Sequence, residues 1–193
     1  MLLIVGALRL FLSHHSTFFI NSLAHIWGSQ PYTTKNTARD NGLLAFFTFG
    51  EGYHNFHHIF ESDYRNGIRW WQYDPTKWLI KSCAWLGLAK SLRVTPKVRI
   101  EKARALALLS KATINVESMP NRQQLAARLQ EEFDLLVATM SEYYEFKKRL
   151  IEGKKETIVK RYEHSLVRTE YEQIKIRFYQ QRDSWNHLVK QYA

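Results

Sequence analysis

The chain has 193 residues, with 28 Lys and Arg against 18 Asp and Glu, a formal charge of +10 and 45% apolar residues. That apolar share excludes wholesale disorder, and the length allows one or two domains. A single cysteine, Cys83, excludes an intramolecular disulfide framework and any zinc site built mainly from thiolates.

The global averages conceal a division. Residues 1–96 hold 9 basic and 5 acidic side chains, and residues 97–193 hold the other 19 and 13. Histidine and tryptophan run the opposite way, with His14, His15, His25, His54, His57 and His58 and five of the six tryptophans in the first half. Two segments are therefore expected, 1–96 and 97–193, joined near Thr95-Pro96. The positive excess suits nucleic acid or an anionic membrane face.

In chain order, the apolar opening Met1–Leu8 is interrupted by Arg9 and expected to end at His14-His15. At about 12 residues it is shorter than the roughly 20 needed to cross a bilayer, and it lacks a signal peptide's basic start and cleavage site. It reads as the tail of a longer transmembrane helix. A short buried helix is the alternative. TFFINSLAHIWG, residues 17–28, is expected to be a second helix with Asn21 and His25 on one face, ended by Gly28 and Pro31. A polar loop follows, and then LLAFFTFGEGYHNFHHIF over residues 43–60.

That last stretch carries the chemistry. His54, His57 and His58 form H-x-x-H-H, which on a helix lies within one face. The bland reading is a solvated, titrating cluster, but Phe47, Phe49, Tyr53, Phe56 and Phe60 would bury the same segment. Buried imidazoles without partners cost about 1–3 kcal/mol each, a cost that a bound metal relieves. All-imidazole ligation suits iron, copper, nickel or zinc. The metalloprotease pattern H-E-x-x-H is absent.

FGEGYHNFHH resembles the third histidine box of the membrane fatty acyl desaturases, in particular the stearoyl-CoA Δ9 desaturase family of bacterial type. NSLAH resembles that family's segment for a further ligand. ARDN before the box, and SDYRNGIRWWQYDPTKWLI and LGLA after it, extend the resemblance over about Phe11 to Val94. The resemblance implies two irons, with His25, His54, His57 and His58 as ligands and Asn21 reaching iron through water. It implies that Thr17 and Phe18 line an acyl tunnel. Glu51 is read as orienting a ligand imidazole, a plain helix-end or structural role being the alternative. His14 and His15 match no family ligand and are expected at the membrane face.

The implied reaction is O2-dependent introduction of a cis double bond into a fatty acyl-CoA. Electrons would come from a cytochrome b5, ferredoxin or rubredoxin type carrier. The implied location is the membrane, with the histidine site and the tail on the cytoplasmic side. The family's upstream H-x-x-x-x-H and H-x-x-H-H boxes do not occur here, and four of nine histidine ligands cannot hold two irons. The chain is therefore expected to be a C-terminal portion, inactive without an N-terminal half.

RNGIRWWQYDPTKWLIKSCAWLGLAKSLR interleaves apolar groups with Arg65, Arg69, Lys77, Lys81, Lys90 and Arg93 and reads as an interfacial amphipathic element. A surface helix packed on its own domain is the alternative. The mixture also resembles single-strand nucleic-acid platforms, but the adjacent histidine box argues for no nucleic-acid partner. After Pro96 the composition favours helices, expected at about 97–114, 121–152 and 155–191, the longer two as a hairpin or coiled coil. Their expected core stripes are Leu125, Leu129, Phe133, Leu136, Met140, Tyr143 and Phe146, then Tyr162, Leu166, Ile174, Phe178, Trp185 and Leu188. The expected fold class is thus all-α. The rival to the desaturase reading is a non-enzymatic basic helical module that binds protein, membrane surface or nucleic acid.

Overall fold

The opening apolar run does not stop at His14-His15. In the computed structural model, which describes residues 2–153 and 161–192, one helix (α1, Leu2–Asn21) continues through both histidines. No proline or glycine lies between Gly6 and Gly28 to break it. Its polar side chains bond back to the preceding turn, His15 Nδ1 to the Phe11 carbonyl at 2.9 Å and Thr17 Oγ1 to the Ser13 carbonyl at 3.0 Å. The expected helix over 17–28 is instead divided at Ser22, leaving α2 as Leu23–Ile26. By length and composition, Leu3–Ile26 is long and apolar enough to cross a membrane, and it is largely exposed, with Ala24 near its end buried.

The remaining helices are α3 (Gly42–Phe47), α4 (His54–Ile59), α5 (Pro75–Trp85), α6 (Lys97–Val116), α7 (Arg122–Gly153) and α8 (Arg161–Tyr192). The fold is all-α, with no strand among the described residues. They form two compact units divided between Ala107 and Leu108, so α6 contributes to both.

In the first unit the short helices are fixed by polar side chains. Asn41 caps α3, its side chain accepting from the N–H groups of Leu43 and Leu44. A Cβ at Gly52 would collide with the backbone of Leu44 and Ala45, so glycine lets the segment before α4 press against α3. On the side of α4 away from its histidines, Phe56 and Phe60 pack with Tyr32 and Ile100. Arg104 donates to the Tyr32 hydroxyl at 3.0 Å and lies over its ring.

Asp74 opens α5, where Pro75 takes the first helical position. Its buried carboxylate accepts from the N–H groups of Lys77, Asn66 and Gly67, each at 2.9 Å. Lys77, buried beside it, donates through Nζ to the carbonyls of Gly67 at 2.7 Å and Arg69 at 3.0 Å. Burial holds this amine below the usual lysine range.

In the second unit α7 and α8 pair in opposite directions, Phe133 meeting Trp185, Tyr143 meeting Phe178 and Phe146 meeting Tyr171. The expected α7 stripe from Leu129 to Phe146 is buried, with Leu125 half-buried. In α8, Ile174, Phe178, Trp185 and Leu188 are buried, but Leu166 is exposed. It lies beyond the Phe146–Tyr171 contact, where α7 is ending and Ile151 is exposed too. Tyr162 and the expected helix start at 155 lie outside the residues whose side chains or backbone are described.

Asp74→Ala should destabilise the first unit by about 2–4 kcal/mol, because it removes a cap and leaves N–H donors unpaired. Asp74→Asn, which keeps an acceptor oxygen, should cost clearly less. Denaturant curves of detergent-solubilised chain, with amide exchange at Asn66 and Gly67, measure both.

Candidate metal centre

The backbone of α4 determines which of its histidines converge. At 3.6 residues per turn, position i+4 sits about 40° to one side of position i, and i+3 about 60° to the other. His58 and His57 therefore flank His54 on opposite sides. The rings agree: His54 and His58 have centroids 4.4 Å apart and edge-on, whereas His57 stacks 6.1 Å from His54 and lies edge-on 6.0 Å from His58.

His25, from α2, approaches on the His58 side. His54 Nε2 lies 3.2 Å from His25 Nε2 and 3.0 Å from His58 Nε2. His25, His54 and His58 each offer a nitrogen within 4.8 Å of the others. The His25 ring is oriented by Thr37, whose Oγ1 lies 2.8 Å from Nδ1. With Nδ1 donating there, Nε2 keeps its lone pair toward the cluster.

These nitrogens fit a metal ion better than they fit each other. One Nε2 carries at most one proton or one lone pair, so His54 cannot make good hydrogen bonds to both neighbours. Its Nδ1 is buried and has no partner among the described residues. Burial first, and then the charges of His58, His25 and His57, push His54 down to about 4, which keeps the ring neutral. His58 is exposed, yet partial desolvation, and then the charges of His57 and His25, lower it as well. An ion that binds imidazole at about 2.0–2.1 Å holds adjacent ligand nitrogens about 3 Å apart, close to the spacing here.

The support beneath the cluster comes from residues to which sequence reasoning gave no role. Asn55 is fully buried between the histidines. Its Oδ1 accepts from Tyr32 N–H at 2.9 Å, and its Nδ2 donates to the carbonyls of Thr33 at 3.0 Å and Ala38 at 2.9 Å. Tyr53 at the start of α4 makes no side-chain cap. Asp40 caps that end from a distant segment, its Oδ1 accepting from Asn55 N–H at 2.9 Å and Phe56 N–H at 3.1 Å. Burial nevertheless pushes Asp40 up to about 6. Asp40 stands in the ARDN stretch, whose position before the box was a legible signal.

Of the other expected site residues, Asn21 is exposed at the end of α1. Thr17 bonds back within α1, and Phe18 is exposed on the same helix. Glu51 Oε1 accepts from Asn66 Nδ2 at 2.7 Å, which ties it to the loop before α5.

The segment that carries this arrangement is similar to known proteins. Residues 1–89 match the family described as "Fatty acid desaturase". The chain is 51% identical to Acyl-CoA desaturase 1 of Saccharomyces cerevisiae over 102 residues, 53% of this chain and 20% of that protein. It is 41% identical to the Delta-9 desaturase-like 4 protein of Arabidopsis thaliana over 97 residues, 50% of this chain and 32% of that protein. It is also 41% identical to the Acyl-CoA C20 Delta5-desaturase of Anemone leveillei over 96 residues, 50% of this chain and 31% of that protein. The chain thus spans about a fifth to a third of these relatives. All three are eukaryotic proteins, whereas the sequence reading expected a bacterial type.

Titration of the full chain with a divalent first-row metal in detergent should show one ion bound through the trio. His54→Ala should weaken binding by about 100-fold or more, while His57→Ala should leave that ion bound, as calorimetry and metal analysis would read.

Asp40 gives a separate test without metal. Between 3.8 and about 6 the folded chain holds a proton that the unfolded chain has released, so this group's contribution to stability falls as pH rises through that window. Relative to Asp40→Asn, the parent chain should lose about 1–3 kcal/mol of stability between the two ends of the window, read from denaturant curves.

Proposed function

We propose that this chain is the part of a membrane acyl-CoA desaturase that carries the third histidine box and one upstream ligand. The observation that carries the reading is the convergence of His25, His54 and His58 within the segment that matches the desaturase family. Iron is the metal, two ions in the complete enzyme. His25, His54 and His58 serve one of them, and His57, turned to the other side of His54, serves the second. Asn21 adds a contact through water.

When bound and reduced, the irons supply the oxidising power to take hydrogen from an unactivated methylene using O2. The chain's own residues do the positioning. Thr37 fixes the ring of His25 so that Nε2 faces His54, and Asp40 and Asn55 hold α4 so that His54 and His58 stay beside it. Phe18 and Thr17, on α1, border the acyl tunnel, where a dry apolar wall excludes water from the reacting carbons.

A fatty acyl-CoA is the substrate and Δ9 the double-bond position. The Δ9 assignment rests on the resemblance alone, because relatives named for Δ9 and Δ5 match this segment equally well. Electrons come from a separate carrier of cytochrome b5, ferredoxin or rubredoxin type. The membrane anchor is α1, and the histidines lie on the cytoplasmic side. The remaining imidazoles come from polypeptide that supplies the first two boxes.

The test is complementation. Cells expressing this chain alone should form no unsaturated acyl product. Co-expression with a desaturase segment bearing the first two boxes should restore product, and His54→Ala or His58→Ala should abolish it. Product from the chain alone, or product insensitive to both substitutions, would overturn the reading.

A further inference from the structure

Residues 64–94 contain six basic side chains and one acidic one. The acid, Asp74, is 1% exposed and its carboxylate is committed to three backbone N–H groups. Two of the bases are committed as well, Arg65 to Asp63 at 2.9 Å and Lys77 to loop carbonyls. Arg69, Lys81, Lys90 and Arg93 remain exposed, and none forms an ion pair among the described residues. The outward electrostatics of this segment are therefore purely positive.

The same segment displays large apolar groups. Trp70 is 87% and Trp85 86% exposed, and Trp71, Leu79, Leu86 and Leu88 are exposed too. The display is built in. Lys77 Nζ binds the carbonyls of Gly67, Arg69 and Gln72, so a buried ammonium holds the loop that carries Trp70 and Trp71. Burying an amine is costly, and here it fixes two indoles in water. Indole beside Lys and Arg, with no exposed acid, is the composition of a bilayer interface with anionic headgroups. The unit also contains the candidate membrane span Leu3–Ile26, which would keep this surface near a bilayer.

We propose that Trp70, Trp71, Trp85, Leu86 and Leu88, with Arg69, Lys81, Lys90 and Arg93, form a second, interfacial contact with the anionic leaflet of the bilayer that α1 enters. This rests on the membrane-bound reading above and adds a lipid-contacting surface to it. The indoles sit at headgroup depth, and the four cations meet the headgroup phosphates and carboxylates.

The test uses the full chain in Cys83→Ser background, reconstituted in phosphatidylcholine–phosphatidylserine vesicles. An environment-sensitive fluorophore is placed by Trp70→Cys, Trp85→Cys, Leu8→Cys in α1, or Ser141→Cys in the second unit. Labels at 70 and 85 should be quenched severalfold more than at 141 by a nitroxide on the lipid headgroup. Omitting phosphatidylserine, or combining Lys81→Gln, Lys90→Gln and Arg93→Gln, should reduce that quenching. The label at 8 should respond to a mid-chain nitroxide. If 8 responds while 70 and 85 behave like 141, the interfacial contact is wrong and the membrane reading stands. If 8 is also silent, the membrane reading itself fails. Shielding of 70 and 85 from acrylamide without lipid quenching would mean that polypeptide covers them, and would overturn the proposal.

Discussion

The geometry of the histidine cluster depends first on a polar cross-link, with apolar packing behind it. The six residues of α4 are too few to hold a helix by themselves in water. Asn55 uses both ends of its amide to bind the backbone at Tyr32, Thr33 and Ala38, and Asp40 takes two N–H groups at the start of the helix. These bonds span 15 to 23 residues of sequence, so they close the loop over α4 and fix where Nε2 of His54 and His58 must point. Buried polar groups of this kind are valuable only when fully satisfied, and Asn55 is satisfied on both its oxygen and its nitrogen.

This explains which parts of the site could be read in advance. The spacing of His54 and His58 is a property of any helix, so their convergence was legible from H-x-x-H-H alone. The divergence of His57 follows from the same helical angle, which lets three imidazoles on one face aim at one point or at two adjacent ones. His25 entered through resemblance, and what turns its ring is Thr37, a loop residue whose proximity no periodicity encodes. Glu51 was given that orienting part because carboxylates often hold ligand imidazoles. Its Oε1 accepts from Asn66, in a loop more than a dozen residues away, which accords with the structural alternative.

The helices were legible to different degrees for similar reasons. The core stripe of α7 follows heptad-like spacing and is buried as read, because a long helix with one partner has a single seam. Leu166 fits the spacing in α8 but lies where that seam ends, and the pattern carries no information about where a partner stops. At α1 the error was to treat two histidines as a terminator. Histidine is only modestly unfavourable within a helix, and His15 satisfies one ring nitrogen on the turn below it.

The folded unit runs past the end of the family match. The match covers residues 1–89, whereas the first unit runs on to Ala107. The added stretch is the first half of α6, and it supplies Ile100 to the cluster around Phe56 and Arg104 to the ring and hydroxyl of Tyr32. Tyr32 in turn packs edge-on against Phe56 at 5.3 Å, on the opposite side of α4 from His54. A helix beyond residues 1–89 thus braces the back of the helix that presents the candidate metal donors. Cutting the chain at the end of the match would leave Tyr32 and Phe56 without that cover, so the smallest piece that keeps the histidines aligned must extend into α6.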